Sequence, residues 1–103
     1  MYKILITSSN DNKMLNDLAK TLLKEKLSPC LNIVDDVNSF YFWDSKSVDS
    51  NESLLLIKCM ECNIENIKKI IKKIHNYDAA EIISIDFNII SKEYEDWFRK
   101  ESR

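Results

Sequence analysis

Four consecutive apolar residues, Leu54-Leu55-Leu56-Ile57, run without a polar break and stop at Lys58. A strand that is apolar toward both sides has to be covered on both faces, so the stretch from Ser53 to Glu61 is expected to hold a central strand of the sheet. Lys58, Cys59, Met60, Glu61 and Cys62 then fall where that strand gives way to a helix, an edge at which polar chemistry can reach water.

The remaining segments arrange themselves around this strand. Tyr2, Ile4 and Ile6 alternate with Lys3, Leu5 and Thr7 as a first strand, which the polar run Ser8 to Asn12 ends. Ser9 or Asn10 is placed to cap a helix carrying Met14, Leu15, Leu18, Ala19, Leu22 and Leu23 at helical spacing. After Pro29, Cys30 to Val34 reads as a second strand, Asp35-Asp36 as a bend or bulge, and Val37 to Trp43 as its continuation. Asp44 to Asn51 is expected to be a polar hairpin loop. Asn63 can cap a second helix with Ile64, Ile67, Ile70, Ile71 and Ile74 on one face and Lys68, Lys69, Lys72 and Lys73 on the solvated other. Ile82 to Phe87 makes a fourth strand, and Ser91 caps a last helix containing Tyr94, Trp97 and Phe98.

This βαββαβ order with a C-terminal helix predicts an α+β ferredoxin-like sandwich in one domain, residues 1–103, with a four-stranded antiparallel sheet under two helices. One helical layer covers one sheet face only. Phe40-Tyr41-Phe42-Trp43 puts bulky groups on both faces, and a surplus of that kind marks a partner surface, so a homo-oligomer is expected.

Composition removes several functions. The chain has no glycine, so phosphate-cradling loops of the Walker and dinucleotide-binding kinds cannot form, and Asn and Asp must supply the left-handed turns. A net charge of -2 with both signs interspersed provides no footprint for nucleic acid or an anionic membrane. The start, MYKILITSSND, has too short an apolar run for a signal-peptide core, and a cytoplasmic location is expected. Three cysteines are an odd count, which points to buried thiols or soft metal ligands instead of a disulfide framework. The single histidine has no nucleophile beside it in a recognisable motif, and no carboxylate pair is placed for acid-base work, so a non-enzymatic protein is expected. Cys59-Met60-Glu61-Cys62 has the two-residue spacing of many thiolate sites and suits copper(I). Residues three apart in a strand face opposite sides, so these thiols converge only if the chain turns after Met60.

Read together, the segments resemble the CutA-type divalent-cation tolerance proteins along almost the whole chain. The residues that carry the resemblance are Ile6-Thr7-Ser8-Ser9-Asn10, Glu25 to Ile33, Ser39-x-Tyr41-x-Trp43, Leu55-Leu56-Ile57-Lys58, His75-Asn76-Tyr77-Asp78-Ala79-Ala80-Glu81-Ile82, and Tyr94-x-x-Trp97. The resemblance implies a homotrimer like that of the PII signalling proteins, assembled by pairing long hairpins, and a role in copper or other divalent-ion tolerance, the alternative being a small-ligand sensor or structural scaffold with an intersubunit cleft and no direct metal role; no organic cofactor is implied. It also implies copper ligation through cysteine and the signature histidine, here Cys30 and His75, with Cys59 and Cys62 as further candidates outside the family pattern. The family's strand-one cysteine is Ser8 in this chain, and both signature prolines are replaced, by Asn76 and Ala80, which is expected to loosen the loop after His75. His75 ends the second helix, where the helix dipole favours a charged imidazole; a hydrogen-bonded cap is its alternative role. Asn32, Trp43, Lys58, Tyr77 and Glu81 form a second expected constellation at a subunit junction. Lys58 either pairs with Glu81 or holds a small anion in an intersubunit cleft.

Overall fold

In the computed structural model, which describes residues 1–103, β1 (Tyr2–Ser9), α1 (Asn12–Lys24), β2 (Cys30–Trp43), β3 (Lys46–Met60), α2 (Ile64–Ile74), β4 (Ile83–Phe87) and α3 (Lys92–Lys100) follow in that order. A single turn of 3₁₀ helix, Glu61–Asn63, leads into α2. The sheet order is β2-β3-β1-β4, with every neighbouring pair antiparallel, as the ferredoxin-like expectation requires. β3 is central, as its unbroken apolar run demands.

The two sides of β3 differ. Leu55, Ile57 and Cys59 are wholly buried under α1 and α2, in a core with Leu5, Leu15, Leu18, Leu22, Leu27, Ile67 and Ile71. Leu54, Leu56, Lys58 and Met60 point to the opposite face and stay only half-buried. The register continues that face across the sheet: Lys58 stands opposite Cys30 and Ile4, Ile4 opposite Ile85, and Leu56 opposite Ile6, which in turn pairs with Ile83. α3 covers one end of it, where Tyr2 and Phe98 meet edge to face at 5.5 Å between centroids and Phe87 packs on both. The rest is bare. Ile83 is 50% and Ile85 49% exposed.

The β2–β3 hairpin is longer than the sequence suggested. Lys46 to Asn51, expected in a loop, pair with Trp43 to Asn38 as continuous ladder, so the turn is Asp44-Ser45 alone. Both turn residues have positive φ, 54° and 62°, the geometry of a two-residue hairpin turn made without glycine. The flanking β-branched and aromatic residues can extend the ladder because this turn matches the strand twist. Asp44 and Asp36 take the left-handed conformation as expected of Asp, but so do Lys26 and Ser45. The bulge is where it was expected: between Val34 and Val37 two residues, Asp35 and Asp36, oppose the single Ser53.

Helix caps follow the expectation only partly. Asp11, not Ser9 or Asn10, caps α1 by accepting the Met14 amide at 3.0 Å. β1 runs on through Ser8 and Ser9, which moves the cap downstream. Asn63 occupies the cap position of α2 without a capping bond, because its side-chain amide donates to the Arg103 carbonyl at 2.9 Å. Ser91 caps α3, accepting from the Tyr94 amide at 3.3 Å. Leu23, placed on the apolar face of α1, is exposed, and Ile82 packs on the core just before β4 instead of inside it.

Candidate ligand cleft

α2 ends at His75, and the segment after it turns over the open end of β1. His75 Nδ1 accepts the Tyr77 amide at 3.0 Å, so the proton sits on Nε2, which donates to the Ser8 carbonyl at 2.8 Å. Both ring nitrogens are committed, as the hydrogen-bonded role expected of this histidine requires. Asn76, standing where the resemblance expects proline, accepts from the Ser9 hydroxyl at 2.6 Å and donates to Asn10 Oδ1 at 3.0 Å. These hydrogen bonds tie the loop to the end of β1 at the position where the resemblance expects a proline ring.

The loop delivers Tyr77 to the bare face. Its hydroxyl donates to Glu52 Oε2 at 2.5 Å and accepts the Asn10 amide at 3.0 Å. Burial, and then the Glu52 carboxylate, push the Tyr77 phenol up to about 12, so it stays a donor throughout the ordinary pH range. Tyr77, Asp78 and Glu81 from the loop, Glu52 and Leu54 from β3, and Tyr41 and Trp43 from β2 enclose a cleft of 630 Å³. That volume is in the range of small-molecule sites. Alternation along the hairpin explains the composition: after the bulge, Tyr41 and Trp43 share a face with Glu52 through the Tyr41–Val48 and Val37–Glu52 pairings.

Within one chain the residues of the expected junction constellation fall into two groups. Trp43, Tyr77 and Glu81 meet in the cleft, whereas Lys58 and Asn32 lie elsewhere on the face, with Lys58 Nζ donating to Asn32 Oδ1 at 2.9 Å and to Cys30 Sγ at 3.6 Å. No Lys58–Glu81 ion pair forms within the chain. Lys58 is therefore outside the lining of the cleft that one chain forms. Sequence reasoning missed Tyr41, Glu52 and Asp78; counting the two-residue period onward from Trp43 and Leu54 would have reached the first two.

The metal candidates do not converge either. Cys59 is a core residue whose thiol burial pushes up to about 12, a poor source of thiolate, while Cys62 is exposed past the strand end. The chain turns after Met60, yet one sulfur stays under the helices and the other in solvent. Cys30 is half-buried beside Lys58 and Tyr94, and burial together with the Cys30 thiol raises the Tyr94 phenol. With the His75 nitrogens both engaged, no three His, Cys, Asp or Glu side chains are grouped to hold a metal ion. The thiols and imidazole of one chain thus do not fit a copper centre.

Comparison with known proteins agrees with this fold over the whole chain. The family described as CutA1 divalent ion tolerance protein matches residues 3–101. The divalent-cation tolerance protein CutA of Thermus thermophilus is 30% identical over 100 residues, 97% of either chain, and that of Pyrococcus horikoshii is 33% identical over the same shares. The solved structure of the Thermus thermophilus divalent cation tolerance protein superposes with a TM-score of 0.94 at 29% identity, covering 100% of both chains. CutA1 from Oryza sativa gives 0.94 at 27% identity, covering 99% of this chain and 94% of its own. The chain belongs to the CutA1 divalent ion tolerance protein family.

Proposed function

We propose that the chain serves divalent-cation tolerance as a homotrimer that holds a small ligand in the cleft beneath Tyr77, not as a carrier with a ready-made copper centre. The observation that carries this reading is the cleft itself: a 630 Å³ space whose loop wall is fixed by the His75, Asn76 and Tyr77 hydrogen bonds. A preorganised wall with converging polar groups is what a ligand site requires. Assembly is supported by the half-exposed Ile83 and Ile85 and by Phe42, 80% exposed on a hairpin that stretches the molecule to 46 × 26 × 20 Å. Apolar surface of that kind is stabilised when another copy covers it.

Direct copper binding is the second reading, and Cys30 favours it. Its thiol is half-buried on the bare face, where copies of the chain would bring further ligands together. Native mass spectrometry of the reduced, metal-free protein during a copper titration separates the two. A trimer that retains no copper against a modest competitor supports the cleft reading. One copper per subunit, lost in Cys30→Ala, establishes copper handling instead, and a monomer at micromolar concentration overturns the assembly on which both rest.

A further inference from the structure

The cleft's charges agree on its occupant. Glu52, Asp78 and Glu81 line it, and no Lys, Arg or His does. None of the three carboxylates forms an ion pair in the chain. Glu52 is the informative one, because it is only 5% exposed and has the Tyr77 hydroxyl, not a cation, as its partner. A carboxylate removed that far from water is stabilised by a positive charge brought to it.

The remaining walls are aromatic. Phe40, Tyr41, Trp43 and Tyr77 all contribute to the lining. Aromatic faces carry the negative part of the ring quadrupole and attract cations, most strongly those that are weakly hydrated. A hard divalent ion needs six or more oxygens close together, and the cleft carboxylates are not grouped for that. A bulky cation of diffuse charge uses the same lining well, since it can touch several rings at once while its charge faces Glu52.

We infer that the cleft is a site for a small organic ammonium ion, held by the rings of Tyr41, Trp43 and Tyr77 and by the Glu52 carboxylate. This rests on the reading that the cleft is a ligand site left open in the assembly. Glu81 and Asp78, exposed members of the lining, supply attraction at longer range. The site selects for positive charge because a neutral molecule of the same shape leaves Glu52 without a counter-charge.

The test is calorimetric titration of the reduced protein with choline chloride and with the alcohol in which carbon replaces the ammonium nitrogen. Choline should bind about tenfold or more tightly than this neutral isostere, the ratio expected when cation–π and carboxylate attraction are both lost. Trp43→Leu should weaken choline about tenfold in protein shown by native mass spectrometry to keep the assembly, which separates loss of the ring from loss of the assembly. Glu52→Gln keeps an oxygen to accept the Tyr77 bond and should abolish the preference for choline over the isostere. Equal binding of the two ligands overturns the inference in favour of an apolar groove. Displacement of choline by stoichiometric magnesium or copper overturns it in favour of a metal site, and binding of acetate or phosphate instead restores the anion. A protein that is trimeric by native mass spectrometry but takes up no choline loses the inference and keeps the assembly; a monomer removes the reading beneath it.

Discussion

The two faces of β3 are built from neighbouring residues of one strand and end in different states. Leu55 and Ile57 are wholly buried, whereas Leu54 and Leu56, one residue away, are half-buried and border a surface with Ile83 and Ile85 about half exposed. The helix-covered face satisfies its chemistry within one chain. The other face combines apolar rows, a Lys58 without an ion-pair partner and an acidic cleft, none of which finds cover or a counter-charge within the single chain.

The largest effect should come from charging the bare face. Ile85→Asp places a carboxylate in the row shared with Ile4 and Lys58. Light scattering should show the assembly reduced to single chains, with far-ultraviolet circular dichroism unchanged. An unchanged mass would mean that this face is not where copies meet. Next in size is a paired truncation within β3. Leu55→Ala should cost about 2–5 kcal/mol in urea unfolding, as a large-to-small change in a closed core. Leu56→Ala should cost clearly less in dissociated protein, with a penalty that grows with concentration as assembly covers the site. Equal, concentration-independent losses would erase the distinction between the faces.

Much of this was legible from residue pattern. The Leu54–Ile57 run located the central strand, the Asp35-Asp36 pair located the bulge, and Phe40–Trp43 signalled an unpartnered surface, because each depends on periodicity along one segment. The hairpin's true length was not legible. Lys46 to Asn51 is mostly polar and reads as loop, yet it forms ladder because its backbone has a partner in Asn38 to Trp43, with only Val48 and Ser50 half-buried. The site divided in the same way. Trp43, Tyr77 and Glu81 meet because a loop carries Tyr77 around the end of β1, whereas Lys58, expected with them at a subunit junction, is set apart from them within one chain by register. Cys59 and Cys62 show the limit of spacing arguments: a turn does follow Met60, but burial, not separation along the chain, decides which thiol is available.

A smaller effect tests the glycine-free turn that sets the hairpin's reach on the unfinished side. Ser45 has φ of 62°, a conformation that costs a non-glycine residue energy. Ser45→Gly should stabilise the chain by up to about 1 kcal/mol, read as a higher urea midpoint with unchanged slope. A loss of stability would show that the Ser45 side chain contributes more than its backbone strain costs.

The smallest expected effect compares the faces through two groups raised to the same level. Burial pushes both the Cys59 thiol, under the helices, and the Tyr77 phenol, over the cleft, to about 12. For each, the protonated form is the one folding favours, so its contribution to stability is complete below the ordinary value, 9.0 for the thiol and 10.0 for the phenol. It is then lost as pH rises through about 12, because the unfolded chain releases the proton first. Absorbance titration at the phenolate band, comparing the protein with Tyr77→Phe, should assign a late-ionising tyrosine to Tyr77. The Cys59 thiol should stay unreactive to alkylation until the chain unfolds, while Cys62 reacts at once. The two groups should part on addition of a cleft ligand: an ammonium ion near Glu52 changes the Tyr77 titration and leaves Cys59 protection as it was. If Tyr77 ionises near its ordinary value with the fold intact, water reaches Glu52 freely, and the loop wall is not seated as the His75 and Asn76 bonds require.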